Sequence, residues 1–414
     1  VALGSLALNA NTTGNQNSSL GYAALTANTT GDGNVAIGQR ALTTNTTANN
    51  NTAVGFNALE VNTTGTDNVA VGANALDANE TGNRNTATGK DALGVNTGSE
   101  NTAFGARSLD ANTSGGTNTA VGLDALGSNT TASNNTAVGA DALKVNTTGT
   151  SNVAIGAFAV DANTTASNIT GVGMNALSSN TTGESNNALG SHALQTNTTG
   201  TRNNAFGVSA LQLNTTGSDN CAFGQLALQQ NTTGEANVAV GAEALDANTT
   251  GLRCTAVGAF ALTSHTTGDD NTAVGRSAML QTTTGANNTS IGKNSMFANT
   301  TGGNNTAVGQ SALDSCTTGS GMVAIGNGSL GSATTGTNNT AIGLNAGSSI
   351  TTGSNNTCLG NDAGTSNSPG GAFAGADNIV CLGDNNVASL FCADTSISSS
   401  DSRDKTDVAS SNIG

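Results

Sequence analysis

The chain has 414 residues, of which 35% are hydrophobic, 2% aromatic and 9% charged, with no Trp, a single Pro and a formal net charge of −15. So few charges exclude a chain held open by self-repulsion, and 11 Lys and Arg without a cluster exclude a phosphate-binding surface, so neither nucleic acid nor an anionic membrane is an expected partner. No apolar run approaches the ~20 residues of a bilayer-spanning helix, and membrane insertion is not expected.

From the first residues onward the chain repeats itself. A glycine follows a short apolar segment at Gly4, Gly21, Gly38, Gly55, Gly72 and Gly89, each 17 residues after the last. One copy is shortened at Asn96-Thr97-Gly98, and the spacing of 17 then resumes from Gly105 through Gly122 and Gly139 to Gly360. The next such glycine, Gly383, comes 23 residues later, with Pro369 in the enlarged interval. Glycine and Asn-Thr-Thr-Gly turns interrupt each copy too often for a helix, which needs about ten or more residues with 3.6 periodicity. The pattern predicts an all-β fold, a parallel β-solenoid (β-roll) of 17-residue coils. Coils ~4.8 Å apart would make a rod on the order of 100 Å long.

Within a copy such as Asn34-Val35-Ala36-Ile37-Gly38, the two branched residues share one face of a strand and Ala36 takes the other. The Ile37 slot, filled elsewhere by Val54, Val71, Val121, Ile155, Phe206, Val240, Ile291 and Ile342, reads as interior. A second extended segment is expected around Leu25, Leu42, Leu59, Leu76, Leu143, Leu211 and Leu313, four residues after the glycine, which gives each coil one branched and one leucine core residue.

Seven residues after the glycine stands an asparagine in each of the first fifteen copies, including Asn28, Asn45, Asn62, Asn129, Asn146 and Asn163; His265 then takes the slot. A stacked Asn can bridge the turns above and below with its amide, a structural ladder. The same residues, followed two positions later by Thr, carry the acceptor pattern for N-glycosylation, the second reading of these six positions.

Catalysis and metal binding need titratable groups brought together. His192 and His265 fall two and seven residues after their glycines, on different edges of different coils, so a zinc site is not expected. Asp32, Asp67, Asp219, Asp269 and Asp270 gather near one turn but alternate irregularly with Ser, Thr and Gly, as a solvated turn does, so neither calcium nor another cofactor is expected. The cysteines form no CxxC pair; Cys358 and Cys381, each two before a glycine, would stack and form a candidate disulfide. Adjacent Thr29 and Thr30 would point to opposite sides of an extended strand, which argues against a flat ice-matching face built from them.

The pattern decays from Gly347, giving three regions: a solenoid over 1–365, an irregular cap with one last repeat-like strand over 366–395, and a tail over 396–414. The tail, Ser396-Ile397-Ser398-Ser399-Ser400-Asp401-Ser402-Arg403-Asp404-Lys405, resembles the start of the endosialidase-type intramolecular chaperone, the self-cleaving C-terminal module of phage tail fibres and tailspikes. Its motif is Ser-Asp-x-Arg-Leu-Lys. The resemblance implies Ser400 as nucleophile of a single-turnover self-cleavage and Lys405 as its activating partner, with Asp404 standing where the family has leucine. Asn-Val-Ala-Ile-Gly at 34–38 and Asn-Val-Ala-Val-Gly at 68–72 resemble, in a longer repeat, the β-roll copies in heads of trimeric autotransporter adhesins. This implies a homotrimer, in which the small Ala36, Ala53 and Ala70 would let three rods approach closely. The expected function is therefore a structural fibre or shaft on a virion surface or other extracellular appendage, not an enzyme beyond self-cleavage. Contact with a cell-surface glycan or receptor would use the variable pairs Gln39-Arg40, Phe56-Asn57, Ala157-Phe158 and Ala259-Phe260. The alternatives are a monomeric ice- or glycan-binding solenoid and a glycosylated extracellular filament.

Overall fold

The computed structural model describes residues 1–368 and 370–389. Each copy of the repeat contributes one short strand, from β1 (Ala2–Leu3), β2 (Ser18–Leu20) and β3 (Val35–Ile37) to β22 (Thr357–Leu359) and β23 (Val380–Leu382). The 23 strands form one parallel sheet in which each strand pairs with its neighbours in sequence. Equivalent residues stack: Val35, Ala36 and Ile37 lie beside Thr52, Ala53 and Val54. The shortened copy keeps this register by pairing Thr86 with Thr102, and the enlarged one by pairing Cys358 with Cys381. The fold is thus a parallel β-solenoid, one coil per copy, and no helix occurs among the described residues.

The interior is not lined as the alternation in the strand implies. Ala36, Ala53, Ala70 and their equivalents are fully buried, whereas Ile37, Val71 and Ile155 are 39%, 38% and 41% exposed. The branched row faces outward, and the alanines belong to the core rather than to a contact between rods. Volume explains the inversion. A 17-residue coil is narrow, and the leucine of the opposite wall, fully buried at Leu25, Leu42, Leu59 and Leu76, fills most of it. Only a small side chain from the strand fits against such a leucine, a methyl group in most coils and Ser19 in one. Where the leucine is replaced by the branched Val160, the strand supplies Gly171 instead of alanine, because a Cβ there would come within 2.5 Å of Val160 Cγ2.

The leucine segment is not a second strand. Leu25, Leu42 and Leu59 have φ of 53°, 51° and 51°, and residues two earlier in the coil, such as Arg40 and Asn57, are also left-handed. An L-residue there loses about 1–2 kcal/mol. Burying the leucine contributes a similar or larger amount, about 1.5–3 kcal/mol, and the turned backbone also donates to the next coil, Leu25 N to Ala41 O at 2.9 Å. The two left-handed residues fold the chain back so that the leucine points at the strand's alanine.

Near the carboxyl end the leucine slot holds Gly347 and then Gly364. Ile350, buried in the asparagine slot, lies 3.4 Å from where a Gly347 Cβ would stand, and Phe373, from the enlarged interval, packs against the space above Gly364. The last coils are thus filled from other positions, and the interval that looks irregular in sequence acts as a plug.

Candidate functional site

The asparagines seven after the glycine form one continuous ladder. Asn45 Nδ2 donates to Asn28 Oδ1 at 3.0 Å and Asn62 Nδ2 to Asn45 Oδ1 at 3.0 Å. Further along, Asn146 donates to Asn129 at 3.2 Å and Asn163 to Asn146 at 2.8 Å. Each also donates its second amide hydrogen to a turn carbonyl three residues on, as Asn28 does to Gly31 O at 3.1 Å and Asn146 to Gly149 O at 2.9 Å. All six are fully buried with both amide hydrogens used. A glycan joined at Nδ2 would need the atom outside the coil, so the folded rod has no place for one at these six positions.

A second ladder runs beside the first, four residues before the glycine, and the sequence reading passed over it. Asn34 Oδ1 accepts from Asn51 N at 2.9 Å, and Asn51 Oδ1 from Asn68 N at 3.0 Å. Asn34 and Asn45 both donate to Ala48 O, at 2.9 and 3.1 Å, so one carbonyl's two lone pairs are satisfied from two rows. The signal was present as an Asn opening most copies, with Ile169, Cys254, Met322 and Ile379 in its place in four; only the curl of the coil brings it against the other row. One wall of the interior is therefore apolar, Ala and Leu, and the other is a net of amides.

His265 replaces an asparagine within that net. Its Nδ1 lies 3.0 Å from Asn248 Oδ1 and its Nε2 3.2 Å from Asn271 Nδ2, so Nδ1–H donates while Nε2 accepts. Burial pushes its pKa down to about 4 and pushes the neighbouring Cys254 thiol up to about 11. Both groups are held neutral, the reverse of what a thiolate nucleophile needs. His192 lies apart, on the outer turn, with Nδ1 2.7 Å from Ser191 Oγ.

Cys358 and Cys381 stack as register partners, and both are free thiols. Burial, with a smaller contribution from Cys381, pushes the Cys358 thiol up to about 11. Ser400 and Lys405 lie outside the described residues. The acidic turn residues tie neighbouring coils together: Asp32 Oδ1 accepts from Asn15 N at 2.6 Å, Asp269 Oδ1 from Leu252 N at 2.9 Å, and Asp219 and Asp270 pair with Arg202 and Arg253. No group of three metal-ligating side chains occurs among the described residues. A notch of about 320 Å³ opens at Gly127, which lacks a side chain between Asp110 and Lys144. Its two cations are already paired, Arg107 bidentate on Asp124 at 2.6 Å and Lys144 with Asp141, beside the notch, at 2.9 Å.

Two outer surfaces remain. The variable pairs lie on the turn after each glycine, where Gln39, Arg40, Phe56 and Phe158 are exposed. The strand's outer face carries two rows. The row three before the glycine is Thr in twelve copies and Val in most others; the row directly before it is Val, Ile, Leu or Phe in all but Thr88. That second row includes exposed Leu20, Phe104, Leu189, Phe223, Ile291 and Ile342, and Phe206 and Phe223 stack on it with ring centroids 4.6 Å apart. Threonine sharing a face with valine, as in Thr52-Ala53-Val54, was the sequence sign that this face meets solvent.

Neither the known protein-family models nor the curated proteins contain a match to this chain.

Proposed function

We propose that this protein is a structural rod, the shaft of a fibre on a virus particle or other extracellular appendage, acting through length and stiffness. The observation that carries this reading is the uniform stacking of 23 strands in register, braced across the interior by an amide net. Each coil contacts only the coils before and after it, so length is set by the number of copies, at ~4.8 Å per coil. The self-cleaving module implied by the tail resemblance fits the same role, and the variable turn pairs are the candidate receptor or glycan contacts. Electron microscopy after removal of two whole 17-residue copies tests the reading. Rods shortened by about 10 Å with unchanged secondary structure are expected; compact particles of no fixed length, or a deletion that collapses the whole chain, refute it.

A further inference from the structure

We propose that the outward row of Val, Ile, Leu and Phe is a seam along which copies of this chain pack side by side, parallel and coil against coil. The proposal rests on the rod reading above. It replaces the alanine contact expected from sequence, because Ala36, Ala53 and Ala70 are fully buried inside each coil.

Three observations carry it. The first is extent. The row runs from Leu20 at 46% exposure through Ile155 at 41% and Ile291 at 42% to Leu382 at 40%, the whole length of the solenoid. Its side chains expose on the order of 1,500 Å², about twice the ~800 Å² each partner gives to a standard stable interface and well above the few hundred Å² of an ordinary apolar patch.

The second is charge. Neither outward row, in any copy, contains one of the 26 Asp and Glu or 11 Lys and Arg of the chain; among the described residues every charge lies outside the strands. An exposed sheet face kept in water is usually interrupted by charges that discourage association. This one is kept clear of them along its whole length, in a chain of net charge −15.

The third is period. The apolar groups arrive once per coil, in a single file at the strand spacing. An irregular globular partner meets a few of them; only a partner with the same repeat meets all. Another copy of this chain has it. The shortened and enlarged copies leave this file unbroken, since Thr86 stacks on Thr102 and Cys358 on Cys381, and three copies closing around one axis, the homotrimer, must run parallel with like coils at one height.

Light scattering after size exclusion reads the outcome directly. The native chain is expected at a multiple of 40.0 kDa, near three times for the homotrimer. Lysines placed in the row, Val138→Lys with Ile155→Lys and Val172→Lys, should return it to the single-chain mass while circular dichroism and rod length stay as they were. Val240→Cys serves as a second test independent of charge: mild oxidation should join two chains through that residue if coils pair like with like. A native mass of one chain, an oligomer that survives the three lysines, or no cross-link at Val240→Cys overturns the seam. If microscopy shows single rods of the expected length, the seam alone has failed; if it shows no rods, the underlying reading has.

Discussion

Replacing the repeat glycine in mid-rod, Gly139→Ala, should be among the most damaging single changes the chain can undergo. Gly139 has φ of +138°, and a Cβ on it would lie 2.5 Å from the Gly156 carbonyl oxygen and 2.6 Å from its carbon. Backbone conformations open essentially to glycine alone cost about 1–3 kcal/mol when another residue is forced into them. Relieving the contact also requires the two coils to separate by several tenths of an ångström. That strains the bonds that join these two coils, from Gly156 N to Val138 O at 2.8 Å and from Phe158 N to Ala140 O at 3.0 Å, at about 1 kcal/mol each. The sum is about 3–5 kcal/mol. Because coils couple only to their neighbours, the loss should be local and divide the rod into two cooperative blocks. Hydrogen exchange read by mass spectrometry should show lost protection over the coils on either side of residue 139 and little change near residues 40 or 300. The comparison is Gly149→Ala. There the added Cβ would come within 2.2 Å of Ala166 O, yet φ is not left-handed, and Ala48, Ala132 and Ala166 already occupy the same slot in other coils. Gly149→Ala should therefore cost clearly less. Equal losses in the two variants, or native protection in Gly139→Ala, would refute the claim that backbone conformation rather than closeness alone selects glycine.

Three further outcomes follow from the interior. Ala137→Val should lower stability by about 1–3 kcal/mol through overpacking against the leucine wall, whereas the outward Val138→Ala should leave unfolding of the separated chain within about 0.5 kcal/mol of native; the opposite ranking in urea unfolding would restore the branched row to the interior. Asn146→Ala leaves Asn129 Oδ1 and one hydrogen of Asn163 Nδ2 buried without partners, a loss of about 3 kcal/mol, and a variant as stable as native would show that the ladder contributes nothing. For His265, burial lowers the folded pKa from 6.5 to about 4, so between those values the unfolded chain binds a proton that the folded chain does not. Its contribution is complete above pH 6.5 and is lost as pH falls toward 4, by about 3 kcal/mol in all. Burial raises the carboxyl pKa of Asp77, Asp161 and Asp246. These groups act in the opposite sense, favouring the fold as acid rises through their own lower range. His265→Asn should flatten the slope between pH 6.5 and 5 in chemical denaturation; an unchanged slope would place the proton elsewhere.

Much of this architecture was legible because a repeat writes the same message more than twenty times. The period of 17 gave the coil, the interruptions by Gly and Asn-Thr-Thr-Gly excluded helices, and leucine four after the glycine proved to be buried at every position named for it. The first asparagine row was legible for the same reason: a polar group recurring once per coil must stack on itself. The second row escaped notice, since its asparagines sit six residues from those of the first and become their neighbours only when the turn closes.

By itself, the sequence determined the unit, its stacking and the identity of the stacked rows, because all three depend on spacing alone. Tertiary structure decided which side of each strand is inside. Alternation separates Ala36 from Val35 and Ile37 but does not order the two faces; the volume of the leucine arriving from the opposite wall does, and it leaves room for only a small side chain. The left-handed backbone that delivers the leucine is equally a tertiary outcome. Nothing in Leu42 favours φ of 51°, and the conformation persists because the buried side chain and the bond from Leu42 N to Ala58 O hold it there. The same inversion that places alanine in the core turns valine and isoleucine outward, and so gives the rod its apolar edge.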